Sequence, residues 1–133
     1  MAKLRADPPS NAVQEGYQFK PSTMLYSSIS STMDGNVPGR SYAGDCYYYS
    51  QPDGTTRCTN NFSEVILSNP ALVLNKGKIP SNVVKRENLY ITIALDEEGM
   101  MPGYSNDANY CYYTVPSSSR GRATRIFYWL VEK

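Results

Sequence analysis

The segment Pro38-Gly39-Arg40-Ser41-Tyr42-Ala43-Gly44-Asp45-Cys46-Tyr47-Tyr48-Tyr49 has a counterpart 64 positions later, Pro102-Gly103-Tyr104-Ser105-Asn106-Asp107-Ala108-Asn109-Tyr110-Cys111-Tyr112-Tyr113. Held without a gap, that offset aligns residues 25–67 with 89–131 and gives ten identities in 43 positions, at 25, 26, 29, 35, 38, 39, 41, 48, 49 and 52. A unit of about 40 residues buries too little surface to stand alone. The repeat therefore reads as an internal duplication, two like units related by a pseudo-twofold axis.

Each unit reads as three strands. In the second, Leu89, Ile91, Ile93 and Leu95 alternate with Tyr90, Thr92 and Ala94, the period of a half-buried strand. The matching positions of the first unit, Leu25, Ser27, Ile29 and Ser31, are more polar. A turn with Gly and Pro-Gly follows in both units. The tyrosine clusters at 46–51 and 110–115 form the second strand, each ended by a proline, Pro52 or Pro116, that cannot serve a central ladder. The third strand spans 62–67 in one unit and 124–131 in the other. The run Ile126-Phe127-Tyr128-Trp129-Leu130-Val131 is apolar on both faces and should be the most buried, with Trp129 beside Leu89, Ile91 or Ile93. No window sustains amphipathic helical spacing. The expected fold is all-β, a small sandwich or barrel of two duplicated three-stranded units, with repeats 25–67 and 89–131 joined by a connector, 68–88.

Residues 1–24 are of another kind. Pro8-Pro9, Gly16 and Pro21 stand among polar residues, and little there offsets the cost of ordering the chain. An extended N-terminal arm of this composition is expected to lie against another subunit.

Several function classes fall away on composition. There is no His, which removes Ser-His-Asp and Cys-His catalysis and His-ligated metal. Lys and Arg number 13 against 12 Asp and Glu, so net charge argues for no partner. No catalytic residue, metal site or cofactor is expected. Asp96-Glu97-Glu98 stand together on a turn with no second environment to split their pKa values. Cys46, Cys58 and Cys111 cannot all pair internally and read as free thiols, with a Cys46–Cys58 bridge as the alternative. No apolar run is long enough for a membrane helix. The start, Met1-Ala2-Lys3-Leu4-Arg5, carries charge where a signal peptide needs apolar residues.

The strongest remaining signal is 12 tyrosines. Tyrosine supplies rigid, amphipathic contact area at low entropy cost, which explains its enrichment at interfaces. Tyr17, Tyr47, Tyr48, Tyr49, Tyr112 and Tyr113 are the expected partner-binding residues, and Arg120, Arg122 and Arg125 mark a basic loop. Together these features predict a non-enzymatic structural subunit, a phage or virion surface, cement or coat protein or a filament subunit, in a virion or an extracellular assembly. Its partners would be other protein subunits. A carbohydrate-binding module using the tyrosine strands is the alternative. A single-stranded nucleic-acid barrel, with tyrosines stacking on bases and the arginines on phosphates, is the third reading.

Overall fold

The computed structural model describes residues 12–19 and 22–133. The rest of the expected arm, residues 1–11, 20 and 21, lies outside them. The described residues form 13 strands and no helix. They are β1 (Gly16–Gln18), β2 (Thr23–Thr32), β3 (Gly35–Tyr42), β4 (Asp45–Tyr49), β5 (Thr56–Thr59), β6 (Phe62–Glu64), β7 (Pro70–Leu74), β8 (Lys85–Arg86), β9 (Leu89–Asp96), β10 (Gly99–Ser105), β11 (Cys111–Tyr113), β12 (Arg122–Thr124) and β13 (Phe127–Glu132). All pairs are antiparallel, in the order β5-β4-β3-β2-β1-β10-β9-β13-β7. The two ends of this path are different strands, so the sheet is open and sandwich-like, not a closed barrel.

The repeat governs the pairing. Ile29 faces Pro38 across β2 and β3, and Ile93 faces Pro102 across β9 and β10, at the offset of 64. Beyond the hairpin the offset changes. Cys46, Tyr47 and Tyr48 face Thr59, Cys58 and Arg57, while Cys111, Tyr112 and Tyr113 face Thr124, Ala123 and Arg122. From Cys46 onward the units match at 65, so Tyr48 superposes in register on Tyr113, not on Tyr112 as the gapless alignment expects. The extra residue sits in the longer β10–β11 loop. The β3–β4 turn is a tight pair, Ala43-Gly44, with both φ values positive at 52° and 87°. Under the corrected offset Ser30–Phe62 and Ala94–Phe127 are matching pairs too.

Pairing also carries the repeat past its expected bounds. Val13 N–H donates to the Val65 carbonyl, and Val13 accepts from Ser27. Val84 does the same between Leu130 and Ile91. Residues 12–19, expected in a partner-bound arm, are instead built into this chain's own core: Val13 is buried, and β1 pairs both β2 and β10. Each unit therefore has more strands than the three expected, because β5 and β12 are short, polar hairpin returns without a strong alternating pattern.

A pseudo-twofold axis relates the units. Thr56 N–H donates to the Ser119 carbonyl and Gly121 N–H to the Gly54 carbonyl, each bond the image of the other at an offset of 65. Thr55 pairs with Arg120, its own image, so the axis passes through that bridge. Core side chains cross it. Leu25 belongs to the cluster of Met101, Cys111, Tyr113, Phe127 and Trp129 in the second unit, while Leu89 packs with Val37 and Tyr48 in the first. Trp129 is fully buried, as expected, but its ring meets Tyr90 and Phe127 at 5.7 and 5.1 Å. Register decides this: Trp129 lies opposite Thr92, and side chains of directly paired residues share a face, so Leu89, Ile91 and Ile93 point the other way.

Candidate functional site

Close strand approach places the tyrosine strands. A Cβ at Gly39 would run into the Tyr47 carbonyl oxygen, and one at Gly103 into that of Tyr112. The Pro-Gly of each unit thus lets the tyrosine strand lie hard against its neighbour. The rings then divide by alternation. Tyr48 and Tyr113 are 3% and 4% exposed, so these two, expected to meet a partner, are core residues. The Tyr48 hydroxyl donates to Asp34 at 2.8 Å, and that of Tyr113 donates to Asp96. Arg57 reaches Asp34 and Asp53, and its image Arg122 reaches Asp96 and Glu98; of these carboxylates only Asp34 and Glu98 are images of each other. Burial alone would raise the Asp96 pKa, but hydrogen bonds from Tyr113, the Glu98 amide and Arg122 outweigh it and hold the carboxyl low. Behind each tyrosine lies a buried thiol. Ser28 hydrogen-bonds Cys46 and Thr92 hydrogen-bonds Cys111, and burial pushes both thiols up to about 12. All three cysteines are free.

The basic loop does not gather into one face. Arg122 is spent on Asp96 and Glu98, Arg125 lies over the Tyr110 ring at 5.2 Å, and exposed Arg120 marks the pseudo-axis. Tyr17 is exposed on β1, against Phe19.

At the seam between units the two copies differ, and the difference makes a cavity. In each unit a residue after Pro-Gly reaches across to the other unit's backbone. Arg40 Nε donates to the Thr114 carbonyl at 3.1 Å, and its image, the Tyr104 hydroxyl, donates to the Tyr49 carbonyl at 3.4 Å. Tyr49 and Thr114 are themselves images at the offset of 65. The Tyr49 ring fills the space beside Tyr104 and Tyr112, with centroids at 6.2 and 5.1 Å. It fits because Gly121 has no side chain; a Cβ there would strike the ring. On the other side of the seam the small Thr114 stands where the ring would be, and Thr56 replaces the glycine. The space stays open, with a volume of about 300 Å³, walled by Arg40, Tyr42, Tyr47 and Thr56 with Gln18 and residues of the 115–118 stretch.

The cavity joins opposite chemistries. Arg40 lies over the Tyr47 ring at 4.6 Å, and Tyr42 is an exposed ring at the rim. Hydroxyls come from Thr56 and Ser118. Arg40 is only 4% exposed, and burial lowers the pKa of its guanidinium. Burial also raises that of the Tyr47 phenol, which stays a neutral donor. Of the expected partner-binding residues, only Tyr47 lines this cavity. Sequence reasoning missed Arg40, Tyr42, Thr56 and Ser118. The substitution of Arg40 for Tyr104 within an otherwise matching Pro-Gly segment was the available signal.

No family model matches the chain. No curated protein matches it either.

Proposed function

We propose that this protein is a carbohydrate-binding module and that the Arg40 cavity is its site. The observation that carries the reading is an open, seam-built cavity in which an aromatic face, Tyr47, meets hydroxyl, amide and guanidinium groups. Sugars present apolar C–H faces and a rim of hydroxyls, so they need both surfaces at once. About 300 Å³ is the lower end of small-ligand clefts and suits one sugar residue. Burial of Tyr48, Tyr104 and Tyr113 weakens the argument that so many tyrosines need a protein partner.

The second unit supplies the test. The double variant Thr114→Tyr/Thr56→Gly copies its plug into the first unit and should abolish glycan binding, scored on an array and by calorimetry, with little change in melting temperature. Glycan binding that survives in a plugged, folded protein sinks the assignment of the site.

A structural or assembly subunit is the second reading, and one observation favours it. Among the described residues β6 pairs only with β2 and β7 only with β13, while Ile66, Val73 and Leu74 are exposed nearby. Sheet edges with apolar side chains are what strand addition uses. Light scattering across a concentration series tests it. A monomer at every concentration removes self-assembly.

A further inference from the structure

The cavity also holds an unexplained charge. A guanidinium that is mostly buried gives up much of its hydration, and an anion on its remaining donors is what best replaces it. Even the more exposed arginines Arg57 and Arg122 each hold two carboxylates. Arg40 holds none among the described residues. Its Nε is committed to the Thr114 carbonyl and hydroxyl oxygens, both at 3.1 Å. Nη1 and Nη2 carry no hydrogen bond to a described residue, and the guanidinium rests on the Tyr47 ring at 4.6 Å. None of the neighbouring acidic groups bonds it. Cys46 and Tyr47 stay protonated, as their raised pKa values require, and Glu98, bonded to Arg122 and Ser117, acts on it only through space.

Nor does the fold require the charge. At the image position a neutral Tyr104 makes the same cross-seam bond to a backbone carbonyl. The scaffold therefore needs a donor there, and the cation is surplus to it. What a planar guanidinium with two uncommitted nitrogens adds is a fork that matches a carboxylate.

We infer that the cavity takes a sugar bearing a carboxylate, with the acid group on the Arg40 fork and the ring against Tyr47, an inference that rests on the carbohydrate-binding reading. The carboxylate supplies the directly bonded counter-charge that no described residue provides, and Tyr47, Thr56 and Ser118 meet the rest of the ring.

The experiment is calorimetry against matched pairs of methyl glycosides that differ only at C6, glucuronide with glucoside and galacturonide with galactoside, at low and at physiological salt. The acidic member of at least one pair should bind at least tenfold more tightly than its neutral twin. Arg40→Tyr, which copies the second unit, should bring the two within about twofold while circular dichroism and the melt report a folded protein. Arg40→Lys keeps the charge without the fork and should fall between, so the test stands if one variant misfolds. Equal binding of acid and neutral sugar by the native protein overturns the carboxylate assignment and leaves the glycan reading intact. Preference for the acid that persists in Arg40→Tyr overturns the assignment to Arg40. Absence of binding by any sugar of either kind overturns both.

Discussion

The two units share strand pairing and a buried tyrosine each, yet at the seam one side is filled by a ring and the other stands open. Tyr49 and Gly121 make a ring-and-notch fit on the second unit's side of the seam, and Thr114 and Thr56 leave the first unit's side open. The backbone bonds that cross the pseudo-axis are the same on both sides. A duplicated fold can therefore hold its scaffold in register through backbone bonds while a pair of side chains decides where a ligand fits. The same split runs through the core. Trp129 in the second unit is the image of Glu64 in the first, one fully buried, the other a carboxyl that accepts from Ser41 and whose pKa burial raises.

That contrast gives the largest expected effect. Trp129→Ala should cost about 3–5 kcal/mol, through lost burial and a cavity among Tyr90 and Phe127. Glu64→Gln should be neutral or stabilising at pH 7. Its folded pKa is raised, so the stability it contributes is present when it is protonated and is lost as pH rises through the folded pKa. The gain from Glu64→Gln should then vanish below about pH 4, where the unfolded carboxyl is also protonated. Urea melts at pH 7 and pH 3.5 check both. Equal losses for the two variants would break the claimed difference between the units.

Next is Tyr49. Its two ring contacts are worth roughly 0.5–1.5 kcal/mol each, so Tyr49→Ala should cost about 2 kcal/mol, against less than about 1 for Thr114→Ala. The paired change Tyr49→Thr/Gly121→Thr should open a second cavity that lacks the guanidinium. Binding of a neutral sugar or dye there, seen by NMR shifts at Tyr104 and Tyr112, would sharpen the comparison.

Asp96→Asn should cost about 1–3 kcal/mol at pH 7, because it removes the charge that Tyr113 and Arg122 bond. The Asp96 pKa is held low, so its contribution is present above about pH 4 and is lost as pH falls through the folded value. The variant's melting temperature should fall less steeply on acidification than the native one. Thr32→Val, at the image position, removes neutral bonds to the Tyr48 hydroxyl and from the Asp34 amide and should cost about 1–2 kcal/mol with little acid dependence.

The smallest effect lies at the hairpins. Ala43 sits at a φ of 52°, where an L side chain is strained. Ala43→Gly should raise stability by about 0.5–1 kcal/mol. An unchanged melt would mean that the tight turn of the first unit carries no strain for the longer loop of the second to relieve.

Much of this architecture is legible in the chain. Period-two alternation in Leu89–Leu95, Pro-Gly after each first strand and the absence of helical spacing fix an all-β duplication, because alternation and turn chemistry are local properties of the backbone. The one-residue change of offset was obscured by composition. A run of Tyr47-Tyr48-Tyr49 matches Tyr112-Tyr113 equally well in two registers, and only Cys46 and Cys111, with Arg57/Arg122, Thr59/Thr124 and Phe62/Phe127 behind them, select 65. The polar stretch around Val13 gave no strand signal, since its order comes from bonds to Ser27 and Val65 and not from its own pattern. The cavity was decided only in three dimensions. Arg40 and Thr114 stand 74 positions apart, and whether a ring or a hydroxyl fills the seam depends on which strands the pseudo-twofold brings face to face. Sequence period sets which way each side chain points; what it points at is set by the other unit.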